Sequence, residues 1–187
     1  MFPLVLDLTG RRVVVVGAGR IGVGKAHQLT QSGAVVTVIS PEVAGDLPPG
    51  ADLVARDYRD GDLTDTLLVV CATGRGDVDD AVVAEARERN VLVNVVDDPV
   101  RSSFFFTAVH RDGDVTVSVS TEGASPALAR RVRDDAAHSL PSGLGEVARR
   151  LRAERRALHD EGTSTEGLDW SGCIDAALAE LSVRPSA

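Results

Sequence analysis

Residues 12–22 read RVVVVGAGRIG, and this stretch decides the fold. A run of valines is typical of a strand that is buried on both faces of a sheet. The glycine-rich turn after it predicts the start of a helix with Ala26 and Leu29 on its inner face, and Gly33 is a suitable glycine for ending that helix. The apolar run Val35–Ile39 then predicts a second strand, which completes a βαβ unit of about 30 residues.

The alternation of strands and helices continues beyond this unit. Further strands are predicted over residues 51–55, 67–72 and 91–96, the first of them weaker than the other two. A helix is predicted over residues 77–90. Its inward-facing residues are predicted to be Val78, Ala81, Val82 and Ala86. Strands that alternate with helices form a parallel sheet, so the chain is predicted to be an α/β protein.

The glycines of the turn have the spacing of a dinucleotide-binding fingerprint. Gly17 suits the tight turn, Gly19 lets the backbone approach a pyrophosphate, and Gly22 permits close packing of the helix against the strand. Because the motif follows a predicted strand and opens a predicted helix, we predict a Rossmann-like domain over residues 1–110 that binds a nucleotide. The alternative is a Rossmann-like turn that binds nothing.

The end of the second strand bears on the choice of cofactor. An acidic residue usually holds the ribose 2′-OH there, but this chain has Ser40 and Pro41, with Glu42 slightly beyond. No Arg or Lys follows the second strand to receive the 2′-phosphate of NADP. The sequence therefore favours NAD over NADP.

The pattern changes after residue 99. Two strands, Phe104–Val109 and Val115–Ser120, flank an Asp-Gly turn and predict an antiparallel hairpin. Ser125 and Pro126 are typical of a helix start, and the helix is expected to run to about Leu140. Leu128, Val132 and Ala136 recur along that helix at intervals of four residues. Two further helices are predicted, one over about 142–159 and a short one over 168–181.

The hairpin would leave sheet edges and aromatic surface exposed in a monomer. We therefore predict a homodimer, with residues 111–141 as a dimerisation region and residues 142–187 as a small helical C-terminal domain.

Composition excludes several classes of protein. The chain has 187 residues and a formal net charge of −8, which argues against an overall basic nucleic-acid-binding surface. Its two cysteines form neither a disulfide framework nor a zinc-binding pattern. No signal peptide or membrane-spanning run is apparent, so we expect a soluble, cytoplasmic protein that does not contact a membrane.

Two further segments are candidate functional sites. Asp97 and Asp98 follow the fifth predicted strand, at the carboxyl edge where open α/β sheets bind ligands, although an ordinary loop would look the same. The small-residue loop 120–126 leads into a helix start and could present N–H groups to a carboxylate or phosphate. The alternative there is helix capping by Ser125. Segment 100–158 carries ten basic and seven acidic residues, including Arg130, so we expect an anionic ligand to bind there. The alternative is a helix whose arginine face is simply solvated.

Five motifs in order resemble those of the precorrin-2 dehydrogenase family, which includes the N-terminal module of siroheme synthase. They are FPLVLDLTGRRVVVVGAGRIGVGKA at residues 2–26, CAT at 71–73, NVVDDP at 94–99, SFFFTA at 103–108 and STEGASPALAR at 120–130. The resemblance implies an enzyme that uses NAD to oxidise precorrin-2, a tetrapyrrole with eight carboxylate side chains, to sirohydrochlorin. It also implies a catalytic aspartate at Asp97.

The motifs and the resemblance together define the candidate site. The predicted cofactor-binding residues are Gly17, Ala18, Gly19, Arg20, Ile21, Gly22, Ser40, Pro41 and Thr73. The predicted substrate-binding residues are Ser120, Thr121, Gly123, Ser125 and Arg130. No residue is predicted to hold a resident metal. The resemblance does not decide whether a ferrous or cobalt ion is also inserted as a substrate. The alternative from another class is an NAD-sensing or assembly module without turnover.

Overall fold

The computed structural model describes residues 1–183 of the chain, so the last four residues of the predicted C-terminal domain lie outside it. Contacts divide the chain into two compact units, the first being Met1–Phe105 and the second starting at Phe106. The predicted dimerisation role of residues 111–141 stays a prediction. No helix within the described range is both long enough and apolar enough to cross a bilayer.

The first unit is a five-stranded parallel sheet with helices, as predicted. Its elements in chain order are β1 (Arg12–Ala18), α1 (Arg20–Gln31), β2 (Val35–Val43), β3 (Asp52–Val54), β4 (Leu68–Cys71), α2 (Gly76–Glu88) and β5 (Leu92–Val95). The strand order is β3-β2-β1-β4-β5. This order places β1 at the centre, where the valine run Val13–Val16 is buried on both faces.

The inner face of α2 differs from the prediction. Val82 and Ala86 are buried as expected, but Ala81 is exposed, and Asp79, Val83 and Glu85 are buried as well. Glu85 turns inward because its carboxylate accepts hydrogen bonds from the backbone N–H groups of Gly61 and Leu63, at 3.0 and 3.2 Å. Hydrogen bonds to a buried carboxylate, which a hydropathy pattern does not reveal, therefore help to determine which residues of α2 face inward.

The second unit contains a two-stranded hairpin and three helices. The antiparallel strands are β6 (Ala108–Asp112) and β7 (Val115–Val119), and the helices are α3 (Pro126–Ser139), α4 (Leu144–Asp160) and α5 (Ser171–Val183). Helix α3 packs on both strands, and α4 contacts α5. The carboxylate of Asp112 accepts the backbone N–H groups of Gly143 and Leu144 at 2.7 and 2.8 Å, which ties the hairpin to the start of α4.

The first hairpin strand begins later in the structure than the sequence predicts. It starts at Ala108 rather than at Phe104, because the preceding residues bond to β5 instead. The backbone of Ser103 donates to the carbonyl of Val93 at 2.7 Å, and the side chain of Asn94 donates to the carbonyl of Phe104 at 3.0 Å. The aromatic run is therefore attached to the first unit's sheet at this point, and only its end leads into the hairpin.

Candidate functional site

A cleft of about 330 Å³ opens at the carboxyl ends of β1, β2 and β4. Open parallel sheets bind ligands at this edge, beside the strand where the chain order reverses. Its lining comes from the glycine turn, the end of β2, the loop after β3 and the loop after β4. The lining includes Gly17, Ala18, Gly19, Ser40, Pro41, Glu42, Asp57, Tyr58, Thr73 and Arg75.

Close backbone contacts explain two of the fingerprint glycines. Gly17 has φ +91°, and a Cβ there would lie 2.6 Å from the carbonyl oxygen of Ala72. A Cβ at Gly22 would lie 2.0 Å from the carbonyl oxygen of Gly17, so α1 packs directly on the turn. By contrast, a Cβ at Gly19 would meet nothing within 4 Å. The backbone at Gly19 therefore borders open space of the kind that a pyrophosphate needs.

The start of α1 carries unneutralised positive potential. Gly19 is the N-cap residue and has no side chain to accept the first N–H groups, and the first turn contains no acidic residue. The N–H groups of Arg20, Ile21 and Gly22 are among those that a helix cannot satisfy internally. This end of the helix is suited to binding a phosphate group.

Ser40 joins the ends of two strands. Its hydroxyl accepts the backbone N–H of Ala18 at 3.1 Å and donates to the carbonyl of Glu42 at 2.6 Å. The side chain is buried, whereas Pro41 and Glu42 are exposed at the rim of the cleft. Ser40 thus shapes the cleft from beneath, and Pro41 and Glu42 present the surface that a ribose would meet.

Thr73 organises the loop after β4. Its hydroxyl donates to the buried carboxylate of Asp79 at 2.7 Å and accepts the backbone N–H of Arg75 at 2.9 Å. Arg75 then forms ion pairs with Asp57 at 3.0 Å and with Asp77 at 3.3 Å. The loop after β4 is therefore linked to the loop after β3 across the cleft lining.

Tyr58 and Glu85 anchor the loop after β3 on α2. The phenol of Tyr58 donates a hydrogen bond to the Glu85 carboxylate, which Arg89 also contacts at 2.7 Å. Burial alone would raise the pKa of Glu85, but hydrogen bonds from Tyr58 and the backbone outweigh it and lower the pKa below its ordinary value. The same burial and the neighbouring carboxylate raise the pKa of Tyr58. Glu85 is therefore a charged anchor whose function is structural.

The candidate catalytic residue Asp97 follows β5. It lies in the turn after β5 at φ +60°, a conformation that non-glycine residues seldom adopt. Its side chain is exposed, and no hydrogen bond or ion pair engages its carboxylate among the residues that the structure describes. Asp65, Asn90 and Glu122 share this backbone region, so it is the position of its exposed carboxylate, at the carboxyl end of β5, that distinguishes Asp97 as a candidate.

Asp98, next to it, has a structural role. Its carboxylate accepts the backbone N–H of Arg101 at 3.0 Å and the Nε of the same residue at 2.7 Å. These hydrogen bonds hold the pKa of Asp98 below its ordinary value. Ser102 completes the turn by donating to the carbonyl of Asp98 at 2.7 Å and accepting the N–H of Val95 at 2.9 Å. The bonds around Asp98 leave Asp97 at the apex.

The predicted substrate loop of the second unit is built from short-range hydrogen bonds. The Ser120 hydroxyl accepts the N–H of Glu122 at 3.1 Å, and the Thr121 hydroxyl accepts the N–H of Ser125 at 3.1 Å. Ser125 caps α3 by accepting the N–H of Leu128 at 3.2 Å. Capping by Ser125 was the alternative to anion binding, and it is present. Gly123 provides a residue with φ +83° in the same loop.

The arginines of α3 are not equivalent. Arg131 pairs with Asp135 at 2.9 Å and Arg133 with Asp134 at 2.7 Å. Arg130 is exposed and forms no such ion pair within the described part of the chain. Of the three, Arg130 is therefore the one whose guanidinium is available to an anionic ligand.

Comparison with known proteins places the first unit in a family. Residues 4–108 match the family model described as putative NAD(P)-binding. The chain belongs to this NAD(P)-binding family. Residues 112–135 match a second model, described as sirohaem biosynthesis protein central. These matches confirm the resemblance seen in the sequence.

Relatives and solved structures agree with the family. The chain is 34% identical over 186 residues to the siroheme synthase of Pseudomonas entomophila (strain L48), covering 95% of this chain and 40% of the relative. It is 37% identical over 187 residues to the siroheme synthase of Azotobacter vinelandii (strain DJ / ATCC BAA-1303), with the same coverage. The chain thus spans 40% of the length of these relatives.

A solved structure described as SirC, precorrin-2 dehydrogenase, matches with a TM-score of 0.70 at 24% identity. That likeness covers 97% of this chain and 89% of the other, and it shows that the two share a fold.

The residues of the cleft fit the dinucleotide of this NAD(P)-binding family. The open space at Gly19 and the uncapped start of α1 suit a pyrophosphate, and the exposed rim at Pro41 and Glu42 suits the adenosine ribose. NAD is the cofactor that these features and the family match support. Within the described chain, no group of three or more His, Cys, Asp or Glu side chains could hold a metal ion.

Sequence reasoning missed part of the cleft. Asp57, Tyr58 and Arg75 line it, but they come from irregular loops after β3 and β4. The available signal was position, since all three follow strands whose carboxyl ends meet at the ligand-binding edge. Residue type alone gave no reason to select them.

Proposed function

We propose that this protein oxidises precorrin-2 to sirohydrochlorin with NAD. The observation that carries the proposal is the Asp97 carboxylate, which has no partner among residues 1–183 and lies at the same sheet edge as the glycine turn. Val16, Cys71 and Val95 are level in register across β1, β4 and β5. Two strand spacings, about 10 Å, therefore separate the strand before the glycine turn from the strand before Asp97. An extended dinucleotide bound at Gly17–Gly22 spans a gap of that size.

The proposed chemistry assigns one task to each group. Oxidation of precorrin-2 to sirohydrochlorin removes two electrons and two protons. They leave as one hydride and one proton. NAD, when bound, supplies the acceptor for the hydride. The Asp97 carboxylate accepts the accompanying proton or holds the macrocycle in place through a hydrogen bond. Asp98 is already bonded to Arg101 and takes no part.

The second unit is proposed to contribute substrate contacts. Precorrin-2 carries eight carboxylates, as the family resemblance implies, so its binding requires cations and N–H donors on an acidic protein. Arg130 offers a guanidinium that forms no ion pair with any described residue, and the loop formed by Ser120, Thr121, Gly123 and Ser125 leads into the positive end of α3. We expect Arg130 to bind one of the substrate carboxylates.

The experiment that tests the function is anaerobic incubation of precorrin-2 with the protein and NAD, followed by absorbance spectroscopy. We expect the spectrum of sirohydrochlorin to appear only when NAD is present. A second arm adds ferrous or cobalt ion, because metal insertion into sirohydrochlorin, with the ion as substrate, is proposed as an additional activity. An unchanged precorrin-2 spectrum with NAD contradicts the proposal, and binding of NAD without turnover would favour a sensing or assembly module instead.

NAD is expected to bind more tightly than NADP. Ser40 and Pro41 offer no guanidinium for a 2′-phosphate, and the neighbouring Glu42 would repel one. Titration calorimetry with each dinucleotide measures the two dissociation constants. Tighter binding of NADP would show that this part of the account is wrong.

A homodimer is expected through the hairpin and α3. Leu128 and Val132 on α3 are 54% and 43% exposed, and the two-stranded β6–β7 sheet leaves edges unpaired within the described chain. Light scattering across micromolar concentrations should give twice the 19.6 kDa mass of the chain. A mass that stays monomeric throughout would contradict the expectation. The cytoplasmic location expected from the sequence likewise stays a proposal.

A further inference from the structure

One ion pair at the rim of the cleft is not used by the proposed chemistry. Arg75 donates from Nη1 to the carboxylate of Asp57 at 3.0 Å and from Nη2 to that of Asp77 at 3.3 Å. About half of the Arg75 side chain is exposed, and both carboxylates are more exposed still. Pairs this exposed contribute little to folding stability.

The location of the ion pair suggests a role in cofactor binding. Arg75 and Asp57 line the same cleft as Ser40, Pro41 and Glu42, which follow the second strand of the fold. In Rossmann folds the adenosine ribose lies beside the end of this strand, and the group at its 2′ position separates NAD from NADP. Among the described lining residues, Arg75 is the one that carries a positive charge.

The charges around Arg75 decide what it can bind. A guanidinium is the group best suited to a 2′-phosphate, because its N–H groups can donate two parallel hydrogen bonds to phosphate oxygens. Here both terminal nitrogens already donate to carboxylates. Two carboxylates pair with Arg75, and Glu42 also lines the cleft, so the net local charge opposes a phosphate dianion.

We propose that the ion pair between Asp57 and Arg75 sets the preference of this protein for NAD over NADP. Asp57, assisted by Asp77, keeps the guanidinium away from a 2′-phosphate and adds negative charge that repels it. Removing the carboxylates makes Arg75 a phosphate-binding residue. This inference rests on the proposed NAD-binding function. Its test distinguishes failure of the inference from failure of the proposed function.

The test measures the ratio of the NADP dissociation constant to the NAD dissociation constant by titration calorimetry. For the Asp57→Asn variant we expect this ratio to fall at least about fivefold, and for Asp57→Asn with Asp77→Asn at least about tenfold. Adding Arg75→Ala to the Asp57→Asn variant should return the ratio to the parental value or above. All of these side chains are exposed, and thermal unfolding checks that each variant is folded.

A matched control is Asp52→Asn, which makes the same charge change at an exposed position in β3 that does not line the cleft. It should leave the ratio unchanged. An Asp57→Asn ratio equal to the parental one, or a gain that persists after Arg75→Ala, overturns the inference while NAD binding by the parental chain still supports the proposed function. A parental chain that binds neither dinucleotide overturns both.

Discussion

Replacing Asp97 by Ala is expected to lower the rate of precorrin-2 oxidation by about 10²-fold or more, with NAD affinity unchanged. This is the usual range for loss of a general base. The side chain is exposed and bonded to nothing in the described structure, so its removal deletes no core volume and leaves the turn's hydrogen bonds in place. Steady-state kinetics with precorrin-2 and calorimetry with NAD measure the two effects separately.

The backbone at Asp97 determines which control variants are informative. At φ +60°, Ala incurs a strain of about 1 kcal/mol, whereas Asn and Gly adopt this region more readily. Asp97→Gly therefore removes the carboxylate without strain, and Asp97→Asn keeps the shape and removes the charge. If Asn restores most of the activity, the side chain acts by hydrogen bonding. If Asn is as poor as Gly, the charge is needed. Near-parental turnover by the Ala and Gly variants would show that Asp97 is not catalytic.

The neighbouring carboxylate offers a comparison. Asp98→Asn should affect turnover less than Asp97→Asn, because Asp98 bonds to Arg101 rather than to a ligand. A larger loss of activity at Asp98 than at Asp97, in a protein that remains folded, would reverse the assignment.

Replacing Gly22 by Ala is expected to weaken NAD binding by about 5-fold to 10²-fold, or to lower the unfolding free energy of the first unit by the corresponding amount of about 1–3 kcal/mol. A Cβ at Gly22 would lie 2.0 Å from the carbonyl oxygen of Gly17, so α1 or the glycine turn has to move. Forcing atoms into a packed contact of this kind costs about 1–3 kcal/mol or more. Calorimetry with NAD measures the loss of affinity, and thermal unfolding measures the loss of stability.

The same helix provides the matched control. A Cβ at Gly24 would meet nothing within 4 Å, and the residue lies on the exposed side of α1. Gly24→Ala should therefore leave NAD affinity unchanged and raise stability by about 0.5–1 kcal/mol, because alanine favours the helix. Equal NAD binding and equal thermal stability for Gly22→Ala and the parental chain would contradict the role given to this glycine.

The sheet could be predicted from the sequence because its signals are local. The valine run before Gly17 and the glycine spacing after it are contiguous, and each favours the same βαβ unit. The expected parallel strands and the hairpin with its following helices are confirmed by the structure.

Features that depend on distant partners could not be predicted in this way. Glu85 is buried because backbone groups from the loop after β3 donate to it, and those groups lie more than twenty residues away. The start of β6 was misplaced because Ser103 and Phe104 bond to β5, although an aromatic run is a strong strand signal. In both cases specific hydrogen bonds overrode residue propensity.

The candidate site likewise contains residues with a local sequence signal and residues that only the folded chain brings together. The glycine turn and Asp97 are predicted as site residues from strand ends and the family resemblance, and the structure adds that Asp97 has a left-handed backbone and no partner for its carboxylate within the described chain. Asp57 and Arg75 were missed because their pairing joins two irregular loops eighteen residues apart. Only the folded chain brings them to one cleft.

The most direct test of the account is the stoichiometry of the anaerobic reaction. Purified protein, precorrin-2 and NAD are mixed without metal, and NADH and sirohydrochlorin are quantified in the same sample. We expect one NADH for each sirohydrochlorin formed, and neither product when NAD is omitted. Sirohydrochlorin without NADH, or no conversion by a folded protein that binds NAD, would contradict it.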